Sequence, residues 1–294
     1  MRALCLGILA LAGCYDFSTI EKSFEQSTVG QTPLTGVWSH GNTVVVVGNQ
    51  SILHSDDDGK SFAPPTNMIP AASYQAVWGS GGDDVYAVAT EGHILHSLDG
   101  GVTFGVVFTG PSALRAVWGT AAYNVYVAGD GGTVWHTIDR GSSWLPETTD
   151  TTQNLLALWG VSTGDVWAAG DGVLLHRNGK LESWSTAQML DQSVRDFWGA
   201  NPNDFYFAGE MGVEHGTQKN AGQLISVWGS ESDDVYIAGA KTLLHSVDHG
   251  VSWTVPFGLS LTSETLYSVR GTSRGELFFV GDDGHGAGLV GHWY

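Results

Sequence analysis

Histidine, carboxylate and arginine side chains recur along this 294-residue chain at spacings that could support chemistry. One histidine falls in each of seven successive segments: His54, His96, His136, His176, His215, His245 and His292. Converging imidazoles would make a zinc site, but only with their nitrogens about 2.1 Å from one point. Five acids recur beside glycines or hairpin turns: Glu91, Asp130, Asp171, Glu210 and Asp282. Carboxylates on one rim would hold a cation or a sugar, and a pair about 5 to 10 Å apart would hydrolyse a glycosidic bond. Arg115 and Arg195 hold equivalent positions in their segments, and Tyr267 holds that position in the last one. Such residues at one level would grip a carboxylate or stack on a sugar ring.

These residues are placed by an internal repeat. Leu34-Thr-Gly-Val-Trp38 returns as Tyr74-Gln-Ala-Val-Trp78, Leu114-Arg-Ala-Val-Trp118 and Leu155-Leu-Ala-Leu-Trp159. It returns again as Val194-Arg-Asp-Phe-Trp198, Leu224-Ile-Ser-Val-Trp228 and Leu266-Tyr-Ser-Val-Arg270, at intervals of 40, 40, 41, 39, 30 and 42 residues. Each unit continues through a Gly-rich or acidic turn to a second β-rich run such as Asp84-Val-Tyr-Ala-Val. A third run follows and ends in the recurring histidine, as in Ile94-Leu-His96. Short runs of Val, Tyr and Trp between Gly and Asp read as antiparallel hairpins, and a period near 40 suits a four-stranded propeller blade. Strands in a blade lie about 4.8 Å apart, so third strands sit far from the axis and their histidines diverge. The expected role of the histidines is a repeated structural hydrogen bond that helps to position the following turn; no metal and no cofactor is expected.

That turn has its own pattern. Ser55-x-Asp57-x-Gly59-x-Ser61-Phe62 is matched by Ser97-x-Asp99-x-Gly101-x-Thr103-Phe104, Thr137-x-Asp139-x-Gly141-x-Ser143-Trp144 and Ser246-x-Asp248-x-Gly250-x-Ser252-Trp253. The Asp carboxylate accepts backbone N–H groups, the Gly takes φ > 0, and the aromatic anchors the fourth strand. The pattern resembles the Asp-box of bacterial-neuraminidase-repeat propellers, found in sialidases, some glycosidases, sortilin-like receptors and photosystem II assembly factors. The resemblance covers residues 22–294 and implies structural turns at Asp57, Asp99, Asp139 and Asp248, on the face opposite the ligand. Strand alternation puts the five recurring acids on the face opposite these turns, which in related propellers is the ligand-binding face; the alternative is that they are ordinary hairpin-turn residues on a solvated surface.

The expected fold is all-β: a seven-bladed β-propeller whose N-terminal strand, around Lys22-Ser23-Phe24, closes a last unit that ends after three strands. Between His215 and Leu224 there is no room for a fourth strand, which predicts a three-stranded fifth blade. The fourth unit lacks the turn motif, with Arg177, Gly179 and Leu181 where Ser, Asp and Gly are expected.

Composition narrows the function. The chain has 30 acidic and 12 basic residues and a net charge of −18, so it lacks the basic face that nucleic acid requires. Its 42% hydrophobic content excludes a disordered acidic chain. Both cysteines, Cys5 and Cys14, lie at the N-terminus. There a short apolar stretch ends in Leu11-Ala12-Gly13-Cys14, which resembles the bacterial lipobox. That resemblance implies a signal peptide over 1–13, lipidation of Cys14, a tether over 14–21 and a propeller over 22–294, held at the bacterial cell envelope by its lipid alone.

The expected function is a monomeric, non-catalytic scaffold that binds a protein or a glycan, with Arg115, Arg195 and Tyr267 as the floor of the site. A glycosidase or sialidase-like hydrolase is the alternative, and an assembly factor similar to the photosystem II family is a third reading. The sialidase set of three arginines, a Tyr–Glu pair and an acid is not completed by the remaining residues, and no Arg-Ile-Pro occurs. Gly271-Thr-Ser273-Arg-Gly275 has the letters of a hydrolase nucleophile elbow, but no helix follows it.

Overall fold

The computed structural model describes residues 24–179, 183–215, 218–220, 223–256, 259–272 and 277–293. The lipobox-like segment, Cys14 and the tether lie outside the described residues. No α-helix occurs among the described residues, and none is long and apolar enough to cross a membrane. In the third unit, Leu114–Ala121, Asn124–Gly129, Val134–Thr137 and Leu145–Glu147 form one antiparallel sheet in chain order. The second unit repeats this with Tyr74–Gly81, Asp84–Ala89, His93–Ser97 and Gly105–Thr109.

Second strands are buried on both faces, which is why their sequences are continuous apolar runs rather than alternating ones. Val44, Val45, Val46 and Val47 are each fully buried, and every residue of Asn124–Gly129 is buried. The core lies between blades. Val45 and Val47 of the first unit, for example, share a cluster with Tyr74, Val77, Val85 and Ala87 of the second.

The expectation of seven blades is corrected: the seven repeat units are gathered into six sheets. Units four and five share one six-stranded sheet, because Ser183–Asn201 runs as a single 19-residue strand. It pairs first with Asp165–Asn178 and then with Asp204–Gly209. Ser185–Ser193, the connection between the fourth and fifth units, is ladder: Ser193 faces Asp171 and Met189 faces Val173. No proline interrupts this strand, whereas Pro64, Pro65 and Pro70 break the first connection and Pro146 stands in the third. Proline removes a ladder donor, and its absence here lets pairing continue. The three-stranded fifth blade is corrected as well, since Gln218–Asn220 adds a short strand against Gly212–His215. The outer strands expected in the first and sixth units shrink to single bridges, His54 with Ala63 and His245 with Thr254, followed by Pro64 and Pro256.

The last sheet joins the two ends of the chain. Phe24–Thr28 pairs antiparallel with Gly288–Trp293, Phe24 opposite Trp293 and Thr28 opposite Leu289. The first strand therefore enters at the end of the ring that carries the Ser-x-Asp-x-Gly turns.

Innermost strands meet through a repeated contact. A Cβ built on Gly79 would lie 2.5 Å from the Trp38 ring; on Gly119, 2.7 Å from Trp78; on Gly160, 2.7 Å from Trp118. The same holds for Gly229, whose Cβ would lie 2.8 Å from Trp198. Each tryptophan thus lies on the glycine that follows the tryptophan of the next unit, and no side chain fits there. At the join of last unit to first, both partners differ: Arg270 replaces the tryptophan and Ser39 replaces the glycine. With no ring to seat, that position accepts a side chain.

Candidate functional site

The turn end of the ring is built from one repeated hydrogen-bond pattern. Ser55 donates its hydroxyl to Asp57 Oδ1 at 2.7 Å, and Gly59 N donates to Ser55 Oγ at 2.9 Å. Ser61 donates its N–H to Asp57 Oδ1 and its hydroxyl to Asp57 Oδ2, at 2.9 and 2.6 Å. The pattern recurs around Asp99, Asp139 and Asp248. Two successive residues take positive φ in each turn, as at Asp58 (66°) and Gly59 (77°). The Ser61 hydroxyl, with Ser55 and the Ser61 N–H, lowers the Asp57 carboxyl to about 2. Asp139 and Asp248 are lowered likewise, chiefly by the Ser143 and Ser252 hydroxyls.

The histidines are tied to their own blades. His96, His136, His176, His215 and His245 stack on Tyr86, Tyr126, Trp167, Tyr206 and Tyr236 with ring centroids 3.8 to 4.1 Å apart. The Nε2 of each also hydrogen-bonds to the residue that opens the second strand: Asp84, Asn124, Asp165, Asp204 or Asp234. In the sequence these four aspartates and Asn124 are visible only as strand starts. Their spacing, an Asp or Asn two residues before an aromatic that faces the histidine, was the signal available. In the first unit Thr43 and Val45 stand at those places, and His54 Nδ1 is buried without a hydrogen-bond partner. Among the described residues, no three His, Cys, Asp or Glu side chains converge as a metal would require.

The fourth unit replaces its missing turn motif with an ionic contact to the third. Arg177 Nε and Trp184 Nε1 donate to Glu147 Oε2 at 2.8 and 2.6 Å, and His136 Nδ1 lies 3.0 Å from Glu147 Oε1. Burial pushes the Glu147 carboxyl up, but His136 and Arg177 outweigh it and hold the group below its ordinary value.

The innermost strands line a cavity of about 550 Å³. At its mouth stand Thr35, Gln75, Arg115, Leu156, Arg195, Ile225 and Tyr267, one from each unit. Each is the extra residue of a β-bulge. Leu114 pairs with Gly129 and Ala116 with Ala128, so Arg115 is skipped by the ladder; the other six are skipped in the same way. A bulge frees one side chain from the alternation of its strand and aims it elsewhere, here into the channel.

The recurring acids sit on turns at this end, and each is engaged locally. Arg115 donates Nε and Nη2 to the two oxygens of Asp130 at 2.8 and 2.9 Å, which lowers the Asp130 carboxyl. Arg195 Nη2 reaches Glu210 at 3.4 Å. Glu91 accepts from Ser73 N, Asp282 from Gly284 N, and Asp171 from Asn154 Nδ2 and Ser193 Oγ. The structure therefore brings Arg115, Arg195 and Tyr267 together on the cavity and leaves the five acids outside its lining.

Sequence reading missed one group deeper in. Asp196, from the fifth unit, accepts from Ser226 Oγ at 2.7 Å and Val227 N at 3.1 Å in the sixth. Arg270 of the seventh reaches back to Asp196 Oδ2 at 2.9 Å and Oδ1 at 3.3 Å. Arg270 stands where other units carry tryptophan, and that departure from the repeat was the only sequence signal.

Repeated antiparallel sheets around a residue-lined channel define the chain as a β-propeller. It is similar to the solved structure described as YCF48 bound to D1 peptide, with 15% identity, a TM-score of 0.71, and coverage of 92% of this chain and 96% of that chain. YCF48 from Cyanidioschyzon merolae is similar at 16% identity and a TM-score of 0.71, over 91% of this chain and 98% of that one. The WD40 repeats of RRP9 match at 12% identity and a TM-score of 0.74, over 92% and 97%. Likeness at these identities shows the fold. No protein-family model and no curated protein matches the chain.

The turn carboxylates generate a pH prediction. Their pKa values are lowered on folding, so the stability they contribute is present above the ordinary carboxylate range and is lost as pH falls toward the folded values. Thermal melts of the wild type are expected to fall between about pH 4 and pH 2. Asp57→Asn is expected to melt lower at neutral pH and to lose less on acidification. Equal acid sensitivity in variant and wild type would contradict this origin.

Proposed function

We propose that the chain is a non-catalytic binding propeller that holds a segment of another protein over the channel mouth. The observation that carries this reading is the ring of seven bulge residues. The frame repeats, yet the one side chain that each bulge aims into the channel differs from unit to unit: Thr, Gln, Arg, Leu, Arg, Ile and Tyr. A structural role would favour one residue type, whereas recognition needs unlike groups on a rigid support. That one similar propeller is described with a bound peptide supports a protein segment as the ligand class. A glycosidase would need two available carboxylates in the cleft. Among the described residues, the only acid lining the cavity is Asp196, which is occupied by Ser226, Val227 and Arg270.

The reading extends to the cell envelope. The Ser-x-Asp-x-Gly turns are taken as Asp-boxes, and Cys14 as a lipidated cysteine behind a cleaved signal. Phe24 lies ten residue steps after Cys14, a reach of at most about 35 Å. Because Phe24 begins at the turn end, such an anchor would draw that end toward the membrane and leave the mouth facing away.

Two experiments test this. Arg115→Ala with Arg195→Ala is expected to reduce protein capture from envelope extracts by tenfold or more, on the order of 1.4 kcal/mol or above, at an unchanged melting temperature. Undiminished capture would refute the mouth as the site. Cys14→Ser is expected to move the protein out of the membrane fraction or to leave it unprocessed. A variant that is processed and still membrane-bound would refute the lipid anchor.

A further inference from the structure

Three arginines line the cavity, and they are not held alike. Arg115 grips both oxygens of Asp130, and its side chain is 32% exposed. Arg270 is fixed by Asp196, by Ser226 Oγ at 3.0 Å, and by the Val227 and Val269 carbonyls at 3.4 and 2.7 Å. Arg195 has a single contact, with one Glu210 oxygen at 3.4 Å, near the limit of a hydrogen bond. Both side chains are about half exposed, 49% for Arg195 and 55% for Glu210. An exposed, monodentate pair of this kind contributes little and is readily exchanged.

We propose, building on the binding reading above, that Arg195 is the ligand-gripping cation of the mouth, that the ligand presents a carboxylate on an aliphatic group, and that Glu210 occupies Arg195 until that carboxylate displaces it. Geometry supports each part. Guanidinium takes a carboxylate through two parallel N–H donors, a better arrangement than the one contact Glu210 makes. The mouth residues on either side of Arg195 are Leu156 and Ile225, both apolar, so a group bearing its carboxylate on a short aliphatic stem meets matching walls. Glu210 lies on the turn between Gly209 and Gly212, outside the cavity lining, and can swing away without disturbing an innermost strand. A cavity of about 550 Å³ suits a chain end or a single side chain.

The test compares N-acetyl-L-leucine with N-acetyl-L-leucinamide, titrated into the full chain and followed by the fluorescence of the tryptophans lining the cavity. The acid is expected to bind about tenfold more tightly than the amide. Arg195→Ala should abolish that preference, and Arg195→Lys should keep part of it. Glu210→Gln should tighten acid binding about threefold or more and leave the amide unchanged, because the internal competitor is gone. Equal binding of acid and amide, binding of neither, or a Glu210→Gln variant that binds the acid no better would each overturn the proposal. Protein capture that still depended on the two arginines would then keep the broader binding reading standing, while its loss as well would remove both.

Discussion

Everything in this propeller hangs on what one innermost strand must do at its two ends. At the turn end its tryptophan lies on the glycine of the next unit, with room for no side chain between them. At the mouth end the same strand carries a bulge, and one residue leaves the ladder to face the channel. The first feature fixes the angle and spacing of neighbouring units. The second then aims a side chain into a common space, where it can also bond the frame, as Thr35 Oγ1 does to the Tyr74 carbonyl of the next unit at 2.8 Å. Where the tryptophan is absent, at Arg270, the opposing glycine is absent too, and the closing burden passes to Phe24–Thr28 on the outer edge. Arg270 turns back to join Asp196 and Ser226, which ties units five, six and seven together from inside.

The outer part of each blade is held by polar contacts that repeat with the same economy. An aspartate in the turn collects a hydroxyl and an N–H, while a histidine stacks on an aromatic and bonds the residue opening the second strand. Buried polar groups need such partners, since an unmade bond costs roughly 1–3 kcal/mol. The fourth unit keeps the histidine stack but loses the turn, and Glu147, Arg177 and Trp184 join it to the third unit instead. Its sheet also runs on into the fifth unit, so the least regular part of the repeat is where two units act as one.

How much of this was legible depends on the range of the interaction. The repeat, the strands and the Asp57-type turns are local patterns, and each stood in the sequence. The equivalence of Arg115, Arg195 and Tyr267 was legible from alignment of the units, but the bulge that aims them was not, because register is decided between strands. The polar residues of Ser185–Ser193 carry no strand period; only pairing with Asp165–Asn178 makes that segment a strand, and with it six blades from seven units. Glu91, Asp130, Asp171, Glu210 and Asp282 stood in the sequence as a recurring set, whereas the partner each one takes was not legible, because most of these partners lie on a neighbouring strand or connection. Asp196 and Arg270 lie 74 residues apart, and nothing local could have joined them.

Labour is divided along one strand: the frame rests on the tryptophan–glycine contact, and in the proposed reading recognition rests on the bulge residue. Equilibrium unfolding of two single variants tests that division most directly. Gly229→Ala, which puts a methyl against the Trp198 ring, is predicted to cost about 1–3 kcal/mol. Gln75→Arg, which copies the third unit's mouth residue into the second, is predicted to stay within about 0.5 kcal/mol of wild type. A neutral Gly229→Ala together with a strongly destabilised Gln75→Arg would contradict the account.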